Sequence, residues 1–236
     1  MTSFQSTLLN VHGLTKQYRR GPEEIQAVAD VSLEIAPGEL IGLLGPSGSG
    51  KTTLLNLLCG WERPDAGEIF WRGDLIGALG TLPWSEIAVV PQGVALAEEL
   101  SIRQNIGLPL RLSGQWRTDY ARDRVQGLLE RLGLAGLYDR LPHEVSLGEQ
   151  QRASLAMSLV VGPRLILADE PTGHQDSVWT HGVLRALMEA RSQGTSVLIA
   201  THSTEALKHV DRIVSMRDGR LTESPLHDHR AIDKDA

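Results

Sequence analysis

The chain has 236 residues, 41% of them hydrophobic, enough for one large α/β domain or two small ones with a sizeable core. Its formal net charge is −6 and its pI about 5.8, so it lacks the basic balance of a nucleic-acid binder. No apolar run approaches the roughly 18–20 residues of a transmembrane helix, Met1-Thr2-Ser3-Phe4-Gln5 lacks a signal-peptide layout, and the lone Cys59 excludes an intrachain disulfide; a soluble chain that is not exported is expected.

Leu8–Leu14 and Val28–Ile35 read as strands. The apolar run Leu40–Leu44 reads as a buried parallel strand. It leads into Gly45-Pro46-Ser47-Gly48-Ser49-Gly50-Lys51-Thr52, which fits the phosphate-loop pattern. A helix is expected over Thr52–Leu58, so strand, glycine loop and helix stand in the required order. The glycines let N–H groups turn around phosphate oxygens, and the helix N-terminus adds partial positive charge. Lys51 can reach the β- and γ-phosphates, and the Thr52 hydroxyl can ligate Mg²⁺. Cys59 falls at the apolar end of this helix and reads as a buried, inert thiol.

Glu68–Trp71 and Ile87–Val90 read as further strands. The stretch Gln92–Val160 is rich in helical patterning and is expected to be a mostly helical insertion, with helices at Thr118–Leu132 and Glu149–Val161. Ser146 and Glu149 have capping-box spacing; a well-capped helix accounts for them, and a capped N-terminus is also an anion site. Leu165–Asp169 is an apolar strand ending in Asp169-Glu170. Adjacent acids at a strand end either cap the turn Pro171-Thr172-Gly173 or serve a site at the carboxyl edge of a parallel sheet. In the second case Asp169 holds Mg²⁺ through water, and Glu170 acts as the base or the orienting group for the attacking water. A helix over Val178–Arg191, a strand over Ser196–Thr201, a helix over Thr204–Val210 and a strand over Arg212–Met216 complete the pattern. Strands alternating with helices imply a parallel sheet covered on both faces.

With these motifs in this order, residues 8–222 resemble the nucleotide-binding subunit of ATP-binding cassette (ABC) transporters, in particular the macrolide-exporter and lipoprotein-releasing group. Leu14-Thr15-Lys16-Gln17-Tyr18 and Ala168-Asp169-Glu170-Pro171-Thr172-Gly173 look like that group's usual sequences. The resemblance implies a P-loop NTPase (RecA-like) α/β core with an antiparallel β-subdomain and an inserted α-helical subdomain. It implies one nucleotide-binding domain over 1–223, with core 1–91 and 161–223, helical subdomain about 92–160, and a flexible tail over 224–236. Tyr18 matches the aromatic that stacks on adenine, and Gly45, Pro46, Ser47, Gly48, Ser49, Gly50, Lys51, Thr52 and Thr53 match the ATP-binding loop and helix start. Gln92 matches the glutamine that senses Mg²⁺ and links to the membrane partner. Ser146, Gly148 and Glu149 match the signature motif, Asp169 the Mg²⁺-side acid, Glu170 the catalytic glutamate, Asp176 the D-loop aspartate and His202 the switch histidine. Thr52, Gln92 and Asp169 would serve the metal.

The implied activity is ATP hydrolysis with Mg²⁺, in a head-to-tail homo- or heterodimer of nucleotide-binding subunits. A separate transmembrane permease subunit is also implied, with the chain peripheral on the cytoplasmic face of the membrane and no nucleic acid as partner. Two positions depart from the family pattern: Leu147 stands at the first signature glycine, and Gln175 stands where an apolar residue usually precedes the D-loop aspartate. Three other readings share the phosphate loop. A DNA-repair ATPase needs a long coiled coil between its motif halves, and a translation-associated protein needs two cassettes; neither is found here. A regulatory module without turnover is disfavoured by Glu170 and His202.

Overall fold

The computed structural model describes residues 7–116, 118–172 and 177–224. The described residues fall into two compact units, one within 1–83 and 196–236 and the other within 84–195.

The first unit opens with a hairpin of β1 (Leu9–Arg20) and β2 (Glu23–Ile35). With β4 (Ala66–Trp71) and β5 (Asp74–Ile76) they form an antiparallel sheet in the order β2-β1-β4-β5. Along β2, Val31, Leu33 and Ile35 are buried while Ser32 and Glu34 are exposed, the period-two alternation of a half-buried strand. The hairpin runs beyond the expected strands Leu8–Leu14 and Val28–Ile35, pairing Gln17 with Gln26 and Tyr18 with Ile25. Those residues are polar or exposed, so only backbone pairing reveals them as strand.

In the same unit β3 (Leu40–Leu44) lies between β8 (Ser196–Ala200) and β9 (Arg212–Arg217), parallel to both. β10 (Arg220–Ser224) closes antiparallel on β9. β8 is buried at every position, as expected for a covered parallel strand. Helix α1 (Lys51–Cys59) buries Leu54, Leu55, Leu57, Leu58 and Cys59, each leucine worth about 1.5–3 kcal/mol. It stops at Gly60, whose left-handed φ of 78° lets its N–H reach back to Asn56 and Leu57 carbonyls. Helix α6 (Thr204–Leu207) is shorter than expected.

The second unit pairs β6 (Ile87–Val90) with β7 (Leu165–Asp169) in parallel. Between them in the chain come α2 (Ile102–Leu112), α3 (Asp119–Arg131) and α4 (Leu147–Leu159); α5 (Ser177–Ser192) follows β7. Among the described α-helices of the insertion, α2 has no counterpart in the hydrophobic pattern. Pro109 interrupts it, yet a Ser101–Gln104 capping box starts it and burial of Ile102, Ile106 and Leu110 holds it. Fully buried Asn105 braces its entry, donating to the carbonyls of Ala97, Leu100 and Ser101 at 3.0, 2.8 and 3.2 Å. Parallel strands, a separate antiparallel sheet and a helical insertion make this the P-loop NTPase fold.

Candidate functional site

In the first unit, β3 delivers the chain to the phosphate loop at the carboxyl edge of its parallel strands. Two of the loop's glycines admit no side chain. A Cβ on Gly45 would stand 2.2 Å from the Met216 carbonyl oxygen, and one on Gly50 2.1 Å from that of Ala27. Gly50 also has φ of 106° and starts α1 without a side-chain cap or an acid in the first turn. An uncapped, acid-free helix start keeps its positive end for an anion. Lys51 lies over the loop, its ammonium donating to the carbonyls of Gly45 at 2.7 Å and Pro46 at 3.2 Å. Pro46, Ser47 and Gly48 complete the turn, and the Ser49 N–H donates to the Pro46 carbonyl at 3.2 Å. The Ser49 hydroxyl is buried with no hydrogen-bond partner among the described residues. Thr52 is exposed and Thr53 half-buried in the first turn of α1.

His202 leaves the same edge. Ala200 pairs with Leu43, and the Thr201 N–H donates to the Leu43 carbonyl at 3.2 Å. His202 is exposed on the turn between buried Thr201 and the Ser203 cap of α6.

Tyr18 projects from β1 and is 36% exposed. Its hydroxyl donates to Glu62 Oε2 and also bonds the Thr53 hydroxyl. Burial, then the Glu62 hydrogen bond and charge, push its phenol up to about 12. The Lys16 ammonium stands 5.7 Å from the ring centroid and donates to the Arg63 carbonyl at 2.8 Å. Sequence reasoning passed over Glu62, which is 44 residues from Tyr18 in the chain. The only local signal is an acid placed just beyond the helix-ending glycine.

In the second unit, the acids stand where the sequence suggested. Asp169 ends β7 and is 5% exposed. Glu170 follows with φ of 48°, a left-handed conformation that costs a non-glycine residue about 1–2 kcal/mol. Asp30, Arg72 and Asp218 share a left-handed φ; Glu170 differs from them in directly following a fully buried parallel strand. Val90 pairs with Ala168, so exposed Gln92 emerges beside these acids at one carboxyl edge.

Ser146 caps α4 in a complete capping box. Its hydroxyl accepts from the Glu149 N–H at 3.3 Å and donates to Glu149 Oε2 at 2.8 Å, while that oxygen accepts from the Ser146 N–H at 2.7 Å. Leu147 is the first helical residue and 49% exposed; Gly148 is the second. Farther along α4, Arg152 is 4% exposed; it donates to the Leu132 carbonyl at 2.9 Å and stacks on Trp179 of α5 at 4.0 Å. Asp176, with Gln175 before it, lies outside the described residues.

The donor sets fit the groups the resemblance implied. The cradle closed to side chains, the uncapped helix start and Lys51 suit a polyphosphate. Among the described residues no cluster of three or more His, Cys, Asp or Glu could hold a metal unaided. The Thr52 hydroxyl in the first unit and the Asp169 carboxylate in the second are each an oxygen ligand of the kind Mg²⁺ takes, and Mg²⁺ needs few protein ligands because phosphate oxygens and water complete its shell.

A protein-family model described as ABC transporter matches residues 28–173. This chain belongs to the ABC transporter family. It is 38% identical over 223 residues to the lipoprotein-releasing system ATP-binding protein LolD of Chromohalobacter salexigens, covering 92% of this chain and 93% of that protein. It is 38% identical over 219 residues to the macrolide export ATP-binding/permease protein MacB of Sodalis glossinidius, covering 91% of this chain and 33% of that longer protein. Among solved structures, the dimeric cassette MJ0796 in a post-hydrolysis state with ADP and Pi superposes with TM-score 0.84 at 30% identity, over 92% of this chain and 98% of that one. The chain is thus an ABC ATPase subunit of the LolD and MacB type, whose activity is ATP hydrolysis. Among the described residues no helix is long and apolar enough to cross a membrane.

Proposed function

We propose that this subunit is the motor of a transporter for export or for lipid or lipoprotein extraction, driving a separate transmembrane permease from the cytoplasmic face of the membrane. ATP stacks its base on Tyr18 and lays its phosphates along Gly45–Thr53, where Lys51 reaches the β- and γ-phosphates. Thr52 and Asp169, with Gln92, would hold Mg²⁺, which when bound screens the phosphate charge. Ser146, Gly148 and Glu149 of a second nucleotide-binding subunit close over the γ-phosphate, with Asp176 at the junction. Closure excludes bulk water and so strengthens each charge contact. Glu170 takes a proton from the attacking water as it bonds to the γ-phosphorus; the ADP oxygen leaves, and His202 orients the γ-phosphate. Loss of that phosphate removes contacts holding the pair together, and the dimer opens. The insertion and the Gln92 turn carry this motion to the permease.

The observation that carries the reading is Glu170: a carboxylate in left-handed backbone at the carboxyl end of a buried strand. Glu170→Gln is expected to bind ATP normally, cut turnover by about 10²–10⁴-fold, and accumulate ATP-bound dimers in size-exclusion chromatography. Lys51→Ala, measured in parallel, is expected to lose nucleotide binding itself. Wild-type turnover in Glu170→Gln would refute the assignment. The relatives named for lipoprotein release and macrolide export favour extraction or export over uptake.

A further inference from the structure

Tyr18 is held by more than its place in β1. Its hydroxyl donates to Glu62 Oε2. Glu62 Oε1 in turn accepts from Asn56 Nδ2 at 3.3 Å, and the Glu62 N–H donates to the Asn56 carbonyl at 3.3 Å. The Thr53 hydroxyl meets the same phenol from the first turn of α1. Tyr18 is therefore fastened near both ends of the helix that begins at the phosphate loop. Next to it in the strand, the Gln17 N–H donates to Asp65 at 2.7 Å and Lys16 pairs with the same carboxylate at 3.4 Å, which steadies the strand just before Tyr18.

A stacking platform needs a ring face, and a phenyl ring supplies one as well as a phenol does. The hydroxyl contacts therefore serve something other than stacking. An exposed tyrosine on a hairpin loses rotamer freedom when a base settles on it, and this loss weakens binding. A tyrosine already bound to Glu62 has lost that freedom on folding. We propose that Glu62 is a positioning residue that orients Tyr18 for the nucleotide base and locks this platform to the phosphate-binding helix. This rests on the assignment of Tyr18 to the base made above. Base and phosphate contacts then belong to one rigid piece, and the distance between them is set before ATP arrives.

The test is steady-state ATPase kinetics and binding of a fluorescent ATP analogue, on the full chain with its membrane partner. Tyr18→Phe and Glu62→Ala are each expected to raise KM and Kd about 2–10-fold, the worth of one immobilised side chain. The kcat of Glu62→Ala stays near wild type. The double variant is expected to be no worse than either single one, because both remove one contact. Glu62→Gln keeps an acceptor for the phenol and is expected to recover most of the affinity. Wild-type KM in both Tyr18→Phe and Glu62→Ala, with a raised KM in Tyr18→Ala, would overturn the tether while leaving the base site standing. A wild-type KM in Tyr18→Ala would overturn both. Thermal melts accompany each variant; should Glu62→Ala melt early, Tyr18→Phe, which deletes a single oxygen, decides the matter.

Discussion

Glu170 and Tyr18 show two ways in which this chain constrains a single residue of the proposed site. Glu170 is constrained in the backbone, where a φ of 48° puts it in the left-handed region directly after a buried strand. The all-buried strand β7 precedes it, and buried Pro171 and Thr172 follow it, so packed residues flank that conformation on both sides. Tyr18 is constrained in its side chain. Its phenol titrates near 12 because burial and Glu62 both disfavour the phenolate. The folded value lies above the unfolded value of about 10. The stabilisation is therefore complete below pH about 10 and is lost as pH rises through about 12. A rapid pH jump read by tyrosinate absorbance is expected to show one of the three tyrosines ionising late. That late step disappears in Tyr18→Phe; its persistence there would assign it to Tyr120 or Tyr138.

At the scale of elements, the N-terminus of α4 has one observed duty, as a helix cap, and a second under the proposed function. The Ser146–Glu149 box starts the helix, and the same hydroxyl is the one proposed to meet the γ-phosphate of a partner subunit. The duties separate by substitution. Ser146→Ala loses the cap and is expected to cost about 1 kcal/mol, a fall of about 2–4 °C in melting temperature, together with most of the ATPase activity. Ser146→Asn caps as well as serine does and is expected to keep the melting temperature while losing activity. Equal activity in Ser146→Asn and wild type would reduce the motif to a helix cap. The capping box was legible because it is a local code of four residues. The outer half of the β1–β2 hairpin was not, because Gln17, Tyr18, Ile25 and Gln26 carry no apolar alternation and are held by ladder hydrogen bonds. Strands β5 and β10 escaped for the same reason: three exposed or half-buried residues in one, and a mostly polar edge in the other. Helix α2 escaped because Pro109 speaks against a helix that buried Ile106 and Leu110 nevertheless hold.

At the scale of the whole molecule, the departures at Leu147 and Gln175 fall on chemistry proposed to be shared between two subunits. Leu147 is 49% exposed on the first turn of α4, so its side chain stands in solvent where a partner's phosphates are proposed to dock. Leu147→Gly is expected to raise ATP turnover in the presence of the permease, with at most about 1 kcal/mol lost to helix propensity. An unchanged or slower rate would show that the side chain turns away from the partner.

The glycine pattern, the apolar strands ahead of Gly45 and Asp169, and the order of the motifs were determined by sequence alone. Each depends on a few adjacent residues whose backbone freedom or polarity has one economical use. Tertiary structure decided the rest. It put Ala27 and Met216 where no side chain fits at Gly50 and Gly45. It laid Lys51 across the loop carbonyls. It also brought Glu62 to Tyr18 across 44 residues of chain. Such contacts depend on which strands and helices become neighbours, and no local pattern of residues encodes that.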